Sequence, residues 1–227
     1  LVDIDLGQRY LERALQENES PARVVALAGE AAYALTRVGD YEAADDLYGL
    51  ALSVDPGNEP LVYAHRLNAV RLALADERLG EAVDSLYGLL GDADSGTRLE
   101  AAFILLELGR EHQQSEWIWS AVHEAQGLSG QSRVPLLLGA SEAFLLETEQ
   151  TLEPERLREL RNEAVVALGA AIQQAEDDLR TEIRIRSGDV FAAFALAIES
   201  HDPAAAAKDR DKARRAWERA RETAVEA

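Results

Sequence analysis

The side chains best suited to chemistry lie between Glu111 and His123, where His112 and His123 flank Trp117-Ile118-Trp119 and Glu116 sits close by. Two readings fit this mix. It builds a small-molecule or sugar pocket on a helical scaffold, or it is a helix–helix turn whose tryptophans pack between neighbouring elements. The other histidines are His65 and His201; no two of the four stand on one helix at metal-ligand spacing, and no HExxH occurs. Paired carboxylates are frequent, at Asp45-Asp46, Asp92/Asp94 and Asp177-Asp178. General acid–base work needs carboxylates held in a cleft with shifted pKa values, and in a chain with 42 acidic residues such pairs are expected on solvated faces. No serine nucleophile elbow or glycine-rich phosphate loop is present, and Gly127-x-x-Gly130 is an isolated glycine pair. The absence of cysteine excludes disulfides, thiol catalysis and cysteine-ligated metal. The expectation is a non-enzymatic protein with no catalytic residue, no metal site and no cofactor.

Charge narrows the partners. The 227 residues carry 23 basic and 42 acidic side chains, a net charge of −19, and only Lys208 and Lys212 among the basic ones are lysines. Such a balance argues against nucleic acid, whose phosphates would be repelled. An acidic, lysine-poor surface fits work in high salt, where at ~1 M the screening length falls to about 3 Å; a GC-rich genome favouring arginine codons explains it as well. The segment Lys208–Ala227 departs from the rest with seven basic and five acidic residues. It reads as a docking helix for an acidic partner or as a capping helix, with Glu218 and Glu222 paired to neighbouring arginines. The longest uncharged apolar runs, Ala164–Ile172 and Val190–Ile198, fall far short of the ~20 residues that span a bilayer. The chain starts at Leu1 and has no methionine, which predicts a fragment or trimmed product. The expected compartment is the cytoplasm, with any signal or anchor lost from the start.

The elements that must position these residues are helices. Ala-, Leu-, Glu- and Arg-rich stretches run between punctuated breaks at Ser20-Pro21, Asp55–Pro60, Gly91–Gly96, Gly127–Arg133, Thr148–Pro154 and His201–Pro203. Weaker breaks lie at Val38–Asp40, Asp76–Leu79, Gly109–Gln113 and Ser187-Gly188. Ser20 before Pro21 and Asp202 before Pro203 are expected helix caps. The pattern predicts about ten or eleven helices in antiparallel pairs. A small residue, a bulky one four positions on and a small or apolar one three further recur along the chain. The sets are Gly7/Leu11/Ala14, Ala44/Tyr48/Ala51, Ala82/Leu86/Leu89, Ser115/Trp119/Val122, Ala164/Leu168/Ala171 and Ala213/Trp217/Ala220. Spacings of four and three put each set on one helix face, where the small residue admits a close neighbour and the bulky one fills the gap.

With Gly39, Asp40, Tyr41, Ala44, Tyr48, Ala51, Leu52, Asp55 and Pro56 in place, Val25–Asn58 resembles a tetratricopeptide repeat, whose period is roughly 34 residues. Ala28 stands where the family has a large aromatic residue, and Ala31-Ala32 replaces its Leu-Gly pair. Tyr63–Asp92 is a degenerate second copy with Leu79, Ala82 and Leu86 in register, and Gly96–Gly127 a weaker third. Beyond Gly130 only paired helices are expected, and longer ones. The resemblance implies an all-α fold, a right-handed α-α superhelix of antiparallel helix pairs. Residues 1–130 would be repeats, and residues 131–227 would continue the array with longer helices and a capping helix.

In such an array the first helix of each pair lines a concave groove. Counting from the small-residue markers, Gly29, Glu30, Tyr33 and Arg37 face it from the first repeat. Leu67, Asn68 and Arg71 face it from the second, and Thr97, Glu100 and Ile104 from the third. Arg37, Asn68 and Arg71 would converge on a carboxylate or peptide backbone, with Tyr33 and Leu67 as apolar anchors. Some family members grip a C-terminal carboxylate with a lysine–asparagine clamp. Asn68 matches one clamp position, but Gly29 and Tyr33 occupy the others, so that activity is not carried over. The expected function is a scaffold or adaptor that binds a protein or peptide segment in the groove. A regulatory domain of a larger signalling or transcriptional protein is the alternative, and a helical small-molecule binder or enzyme centred on His112–His123 the third. A self-complementary end face would also let a short array stack as a homo-oligomer.

Overall fold

Helix-favouring stretches between polar caps and left-handed turns give the chain its elements. The computed structural model describes residues 20–128, 130–150 and 153–226. Among them are ten α-helices and no strand. The first four are α1 (Pro21–Val38), α2 (Tyr41–Val54), α3 (Glu59–Ala75) and α4 (Leu79–Asp92). Next come α5 (Ser95–Glu111), α6 (Ser115–Gly127) and, after a 3-10 turn at Gln131–Arg133, α7 (Val134–Gln150). The last three, α8 (Pro154–Gln174), α9 (Asp177–Ile198) and α10 (Pro203–Glu226), are also the longest, at 21, 22 and 24 residues. None of the described helices is long and apolar enough to cross a membrane. The Gly7/Leu11/Ala14 set lies outside the described residues.

Local hydrogen bonds explain where the helices start and stop. Asp40 accepts from the Ala43 amide at 3.3 Å, Asn58 from Leu61 at 3.4 Å and Asp202 from Ala205 at 3.0 Å, each capping the helix that follows. Ser20, expected to cap α1, makes no side-chain cap; Pro21, which carries no N–H, leads the helix in. Three corners are built alike. At the first, Gly39 takes φ 86°, its amide donates to Thr36 O (3.3 Å), and the Asp40 amide donates to Leu35 O (3.1 Å). Glu77 (φ 59°) and Gln113 (φ 53°) hold the same place after α3 and α5. There Arg78 N donates to Ala73 O at 2.8 Å and Gln114 N to Gly109 O at 2.8 Å. This is the paired-bond helix stop that glycine makes without steric cost. Only the first of the three corners has the glycine.

The helices form two compact units, one ending at Ala101 and the other starting at Ala102, with the division inside α5. In the first unit α1 packs on α2, α2 on α3 and α3 on α4. Its core joins Val24, Ala28, Ala32 and Leu35 of α1 to Ala44, Leu47, Tyr48 and Ala51 of α2, with Leu61 and Ala64 of α3 against them. In the second unit α6 packs on α7, α7 on α8, α8 on α9 and α9 on α10, and α7 also meets α9. Phe144, Phe194, Leu136, Leu137, Leu157 and Leu160 are among its large buried side chains. Of the five described three-residue sets, every member is buried except Trp217, which is 42 % exposed.

Charged side chains join helices in the second unit. Glu142 on α7 accepts from Arg110 Nε at 2.6 Å and from Arg186 Nη1 of α9 at 2.5 Å. Burial pushes the Glu142 carboxyl up, but the two guanidiniums outweigh it and hold the carboxyl below its ordinary value of 4.5. Arg133 donates to the Ala125, Gln126 and Leu128 carbonyls and to Gln174 Oε1, closing the end of α6 with a cation.

Two predictions follow from these contacts. Glu77→Gly relieves a left-handed, side-chain-bearing residue and should raise stability by about 1 kcal/mol in urea unfolding; a lower midpoint would contradict the corner's geometry. Glu142, being depressed in the folded state, contributes its stability above pH ~4.5 and loses it as pH falls below that value. Glu142→Gln should therefore flatten the acid limb of a stability–pH curve below pH ~4.5, and an unchanged limb would refute the linkage.

Candidate functional site

Tyr33 stands on the outer face of α1, 59 % exposed, between two hollows of the first unit. The first hollow, of 530 Å³, is mostly apolar. Val25, Ala26, Pro60, Leu61 and Ala64 line it, with Glu30, Asp55 and Asn58 at polar positions. Its shape depends on Gly29, because a Cβ there would lie 2.8 Å from Leu61 Cδ2, so the missing side chain lets α3 approach α1. The second hollow, of 520 Å³, is charged and is lined by Tyr33, Thr36, Arg37, Arg71 and Glu100. Arg71 pairs with Glu100 across it. Arg37 is exposed and pairs with no described residue.

Of the residues expected in a groove, Tyr33, Arg37, Arg71 and Glu100 thus line one hollow, and Glu30 lines the next. Leu67 and Asn68 do not belong there. Leu67 is 5 % exposed and Asn68 fully buried. The Asn68 amide donates to Tyr41 O at 2.9 Å, and its carbonyl oxygen accepts from the Thr36 hydroxyl at 2.9 Å. The physical reason is that α3 meets α1, α2 and α4, so its buried arc is wide. Convergence of Arg37, Asn68 and Arg71 on one carboxylate is replaced by a different arrangement: Asn68 ties helices together, Arg71 is neutralised by Glu100, and Arg37 alone is uncompensated. Of the further groove positions, Thr97 bonds Asp94 through its amide and its hydroxyl. The apolar hollow was not foreseen; Gly29 beside the Pro60-Leu61 start of α3 is the signal that marks it.

The His112–His123 stretch divides between surface and core. His112 meets Trp117 edge-on with centroids 6.0 Å apart, and His123 stacks on Trp119 at 5.9 Å. Both histidines are exposed while Trp119 is 6 % exposed. His123 Nε2 lies 3.5 Å from Glu163 Oε2. His65 is bonded to Asp45 at 2.8 Å and lies beside the Tyr48 ring at 5.9 Å. Among the described residues no group of three or more His, Asp or Glu side chains is arranged to hold a metal ion. Asp94, one of the paired carboxylates, caps the start of α5. The Thr97 hydroxyl and amide hold it below the usual range, and it also accepts from Gly96 N at 2.8 Å. That is the chemistry of a helix cap, which favours the ionised form.

No protein-family model matches the chain, and no curated protein matches it.

The Asn68 ties give a direct test of that residue's structural role. Asn68→Ala should destabilise by about 1–3 kcal/mol, because two hydrogen bonds between helices, both made by a buried side chain, are lost, the Thr36 hydroxyl keeping only its bond to the Ala32 carbonyl. A variant as stable as wild type in urea unfolding would return Asn68 to the list of groove residues.

Proposed function

We propose that the chain is a non-enzymatic helical-repeat module, of the tetratricopeptide-like kind, whose first unit binds an extended or helical segment of a protein partner. The observation that carries this reading is the pair of hollows that share an exposed Tyr33. An exposed aromatic residue between an apolar hollow and an unpaired guanidinium suits a segment with an apolar side chain beside an acidic one. The apolar side chain would sit between Val25 and Leu61, the Tyr33 ring would pack on its flank, and the carboxylate would face Arg37. Tyrosine and arginine are the residue types that carry most binding energy at such surfaces.

The repeated corners at Gly39, Glu77 and Gln113 support the superhelical part of the proposal, at intervals a little above roughly 34 residues. So do the buried sets Ala44/Tyr48/Ala51 and Ala82/Leu86/Leu89, which give α2 and α4 buried faces of the same small–bulky–apolar pattern. Repeats that bury a face only against their neighbours stack into such arrays.

Selection from a library of short random peptides displayed on phage tests the reading. Enriched peptides should combine a large apolar residue with a nearby Asp or Glu. Their affinity should fall about tenfold or more in Tyr33→Ala and in Arg37→Glu. Both positions are exposed, so the urea midpoint should hold. Peptides without acidic residues, or binding indifferent to both changes, would sink the groove.

A further inference from the structure

We propose that the second unit holds a separate anion site, in a basic hollow between α8, α9 and α10, and that its ligand is a phosphate monoester carried on an apolar or aromatic stem. The hollow has a volume of 410 Å³, within the range of small-molecule sites at about 300–1,000 Å³. Four cations line it: Arg184 from α9, and Lys212, Arg215 and Arg219 from α10. No carboxylate is among its lining residues. In a chain of net charge −19 this is a local reversal of sign. It follows from helix geometry, because Lys212, Arg215 and Arg219 stand three and four positions apart on one face of α10.

The partners of these cations show which are committed. Lys212 Nζ lies 2.5 Å from Asp209 Oδ1, and that carboxylate is also held by Arg161 Nη2 at 2.6 Å. Arg215 pairs with Asp211 at 2.5 Å, and Asp211 is shared with Arg214. Arg184 is different. Among the described residues it donates only to neutral oxygens, the Arg219 carbonyl at 3.4 Å and the Thr223 hydroxyl. Arg219 pairs with no carboxylate among the described residues. Two guanidiniums without a carboxylate therefore face one hollow, and a third cation there shares its carboxylate with Arg161.

The chemistry of the walls selects the ligand. Guanidinium forks match the geometry and charge of a phosphate, which carries close to two negative charges at neutral pH. The remaining wall is apolar, made by Ile172, Phe191 and Ala216. Phe191 is held in place by cations on its ring, with Arg161 Cζ at 5.6 Å and Lys212 Nζ at 5.3 Å from the centroid. A bare phosphate leaves that wall wet, whereas a phosphate on an apolar stem covers it. Ser187, the other polar lining residue, donates its hydroxyl to Ile183 O at 2.8 Å and keeps only acceptor capacity toward the hollow. Discrimination thus rests on the arginines and the apolar wall.

Titration calorimetry with phenyl phosphate, inorganic phosphate and phenol tests the proposal on the whole chain. Phenyl phosphate should bind saturably at one site and more tightly than inorganic phosphate, and phenol should give no saturable heat. Arg219→Gln, at an exposed position, should weaken phenyl phosphate binding tenfold or more, and Arg184→Gln should do the same. Arg210→Gln, which removes an exposed pair with Glu199 outside the hollow, should leave it unchanged. The urea midpoint of each variant separates loss of binding from loss of fold. The site is refuted if phenyl phosphate binding is absent or unsaturable, if it is equal in wild type and Arg219→Gln, or if inorganic phosphate binds as tightly. These outcomes are independent of the groove in the first unit.

Discussion

Neighbouring helices bury their apolar stripes only when their backbones come close, and small residues at the contacts permit that approach. In the first unit Ala28 and Ala32 of α1 meet a seam of Ala44 and Ala51 around the Tyr48 ring. In the second, Ala164, Ala167 and Ala171 are buried along α8, and Gly139 lies where a Cβ would come within 2.8 Å of Leu106 Cδ1. Each bulky side chain then fills the space that small neighbours leave open, which is how a core reaches crystal-like density. The rest of the fold depends on this spacing. Larger residues at the seams would part the helices or force strained rotamers, at a typical cost of about 1–3 kcal/mol.

Polar ties complete what the apolar seams begin. Asn68 links α3 to Thr36 of α1 and to the backbone at Tyr41, with no solvent to replace either bond. Asp209 on α10 is 2 % exposed and takes three bonds from Arg161 of α8, at 2.6 and 3.2 Å to one oxygen and 2.9 Å to the other. The Arg161 guanidinium rests over Phe194 at 5.0 Å. A pair this buried is costly to desolvate, and removing the Asp209 carboxylate would leave Arg161 without its ion partner, a change that typically costs about 3–5 kcal/mol. Exposed pairs such as Arg78–Glu81 carry little weight by comparison.

Charge in this protein is informative where pairing fails. Most of its arginines are bound to carboxylates on a neighbouring turn or helix, as in Arg158–Asp202, Arg110–Glu142 and Arg71–Glu100. Among the described residues, three of the exceptions line hollows, whereas Arg133 is taken up by carbonyl oxygens. Arg37 sits beside Tyr33 in the first unit, and Arg184 and Arg219 face one hollow in the second. Cations left without a carboxylate in so acidic a chain are the natural places for an external anion to dock.

The helical class, most helix ends and most packed faces were legible in the residue pattern, although the break expected at Ser187-Gly188 lies inside α9 and Trp217 is exposed. Gly39-Asp40 and Asn58 announce turns by their own chemistry, and spacings of four and three name a face without any knowledge of the partner helix. The corners at Glu77 and Gln113 were readable only as weak breaks, since neither residue favours the left-handed turn it makes. Direction around a helix was harder. Counting from markers put Tyr33, Arg37, Leu67 and Asn68 on one open face, yet Leu67 and Asn68 are buried while Tyr33 and Arg37 are exposed. Whether a polar residue faces water or a partner depends on how many neighbours a helix meets, and α3 meets three. The same holds for Arg184 and Arg219, which are 35 positions apart in the chain and share a hollow only because α9 lies against α10. Local propensity and periodicity act within a few turns of one helix. Convergence of side chains from different helices is set by packing, and so it was decided only in the folded chain.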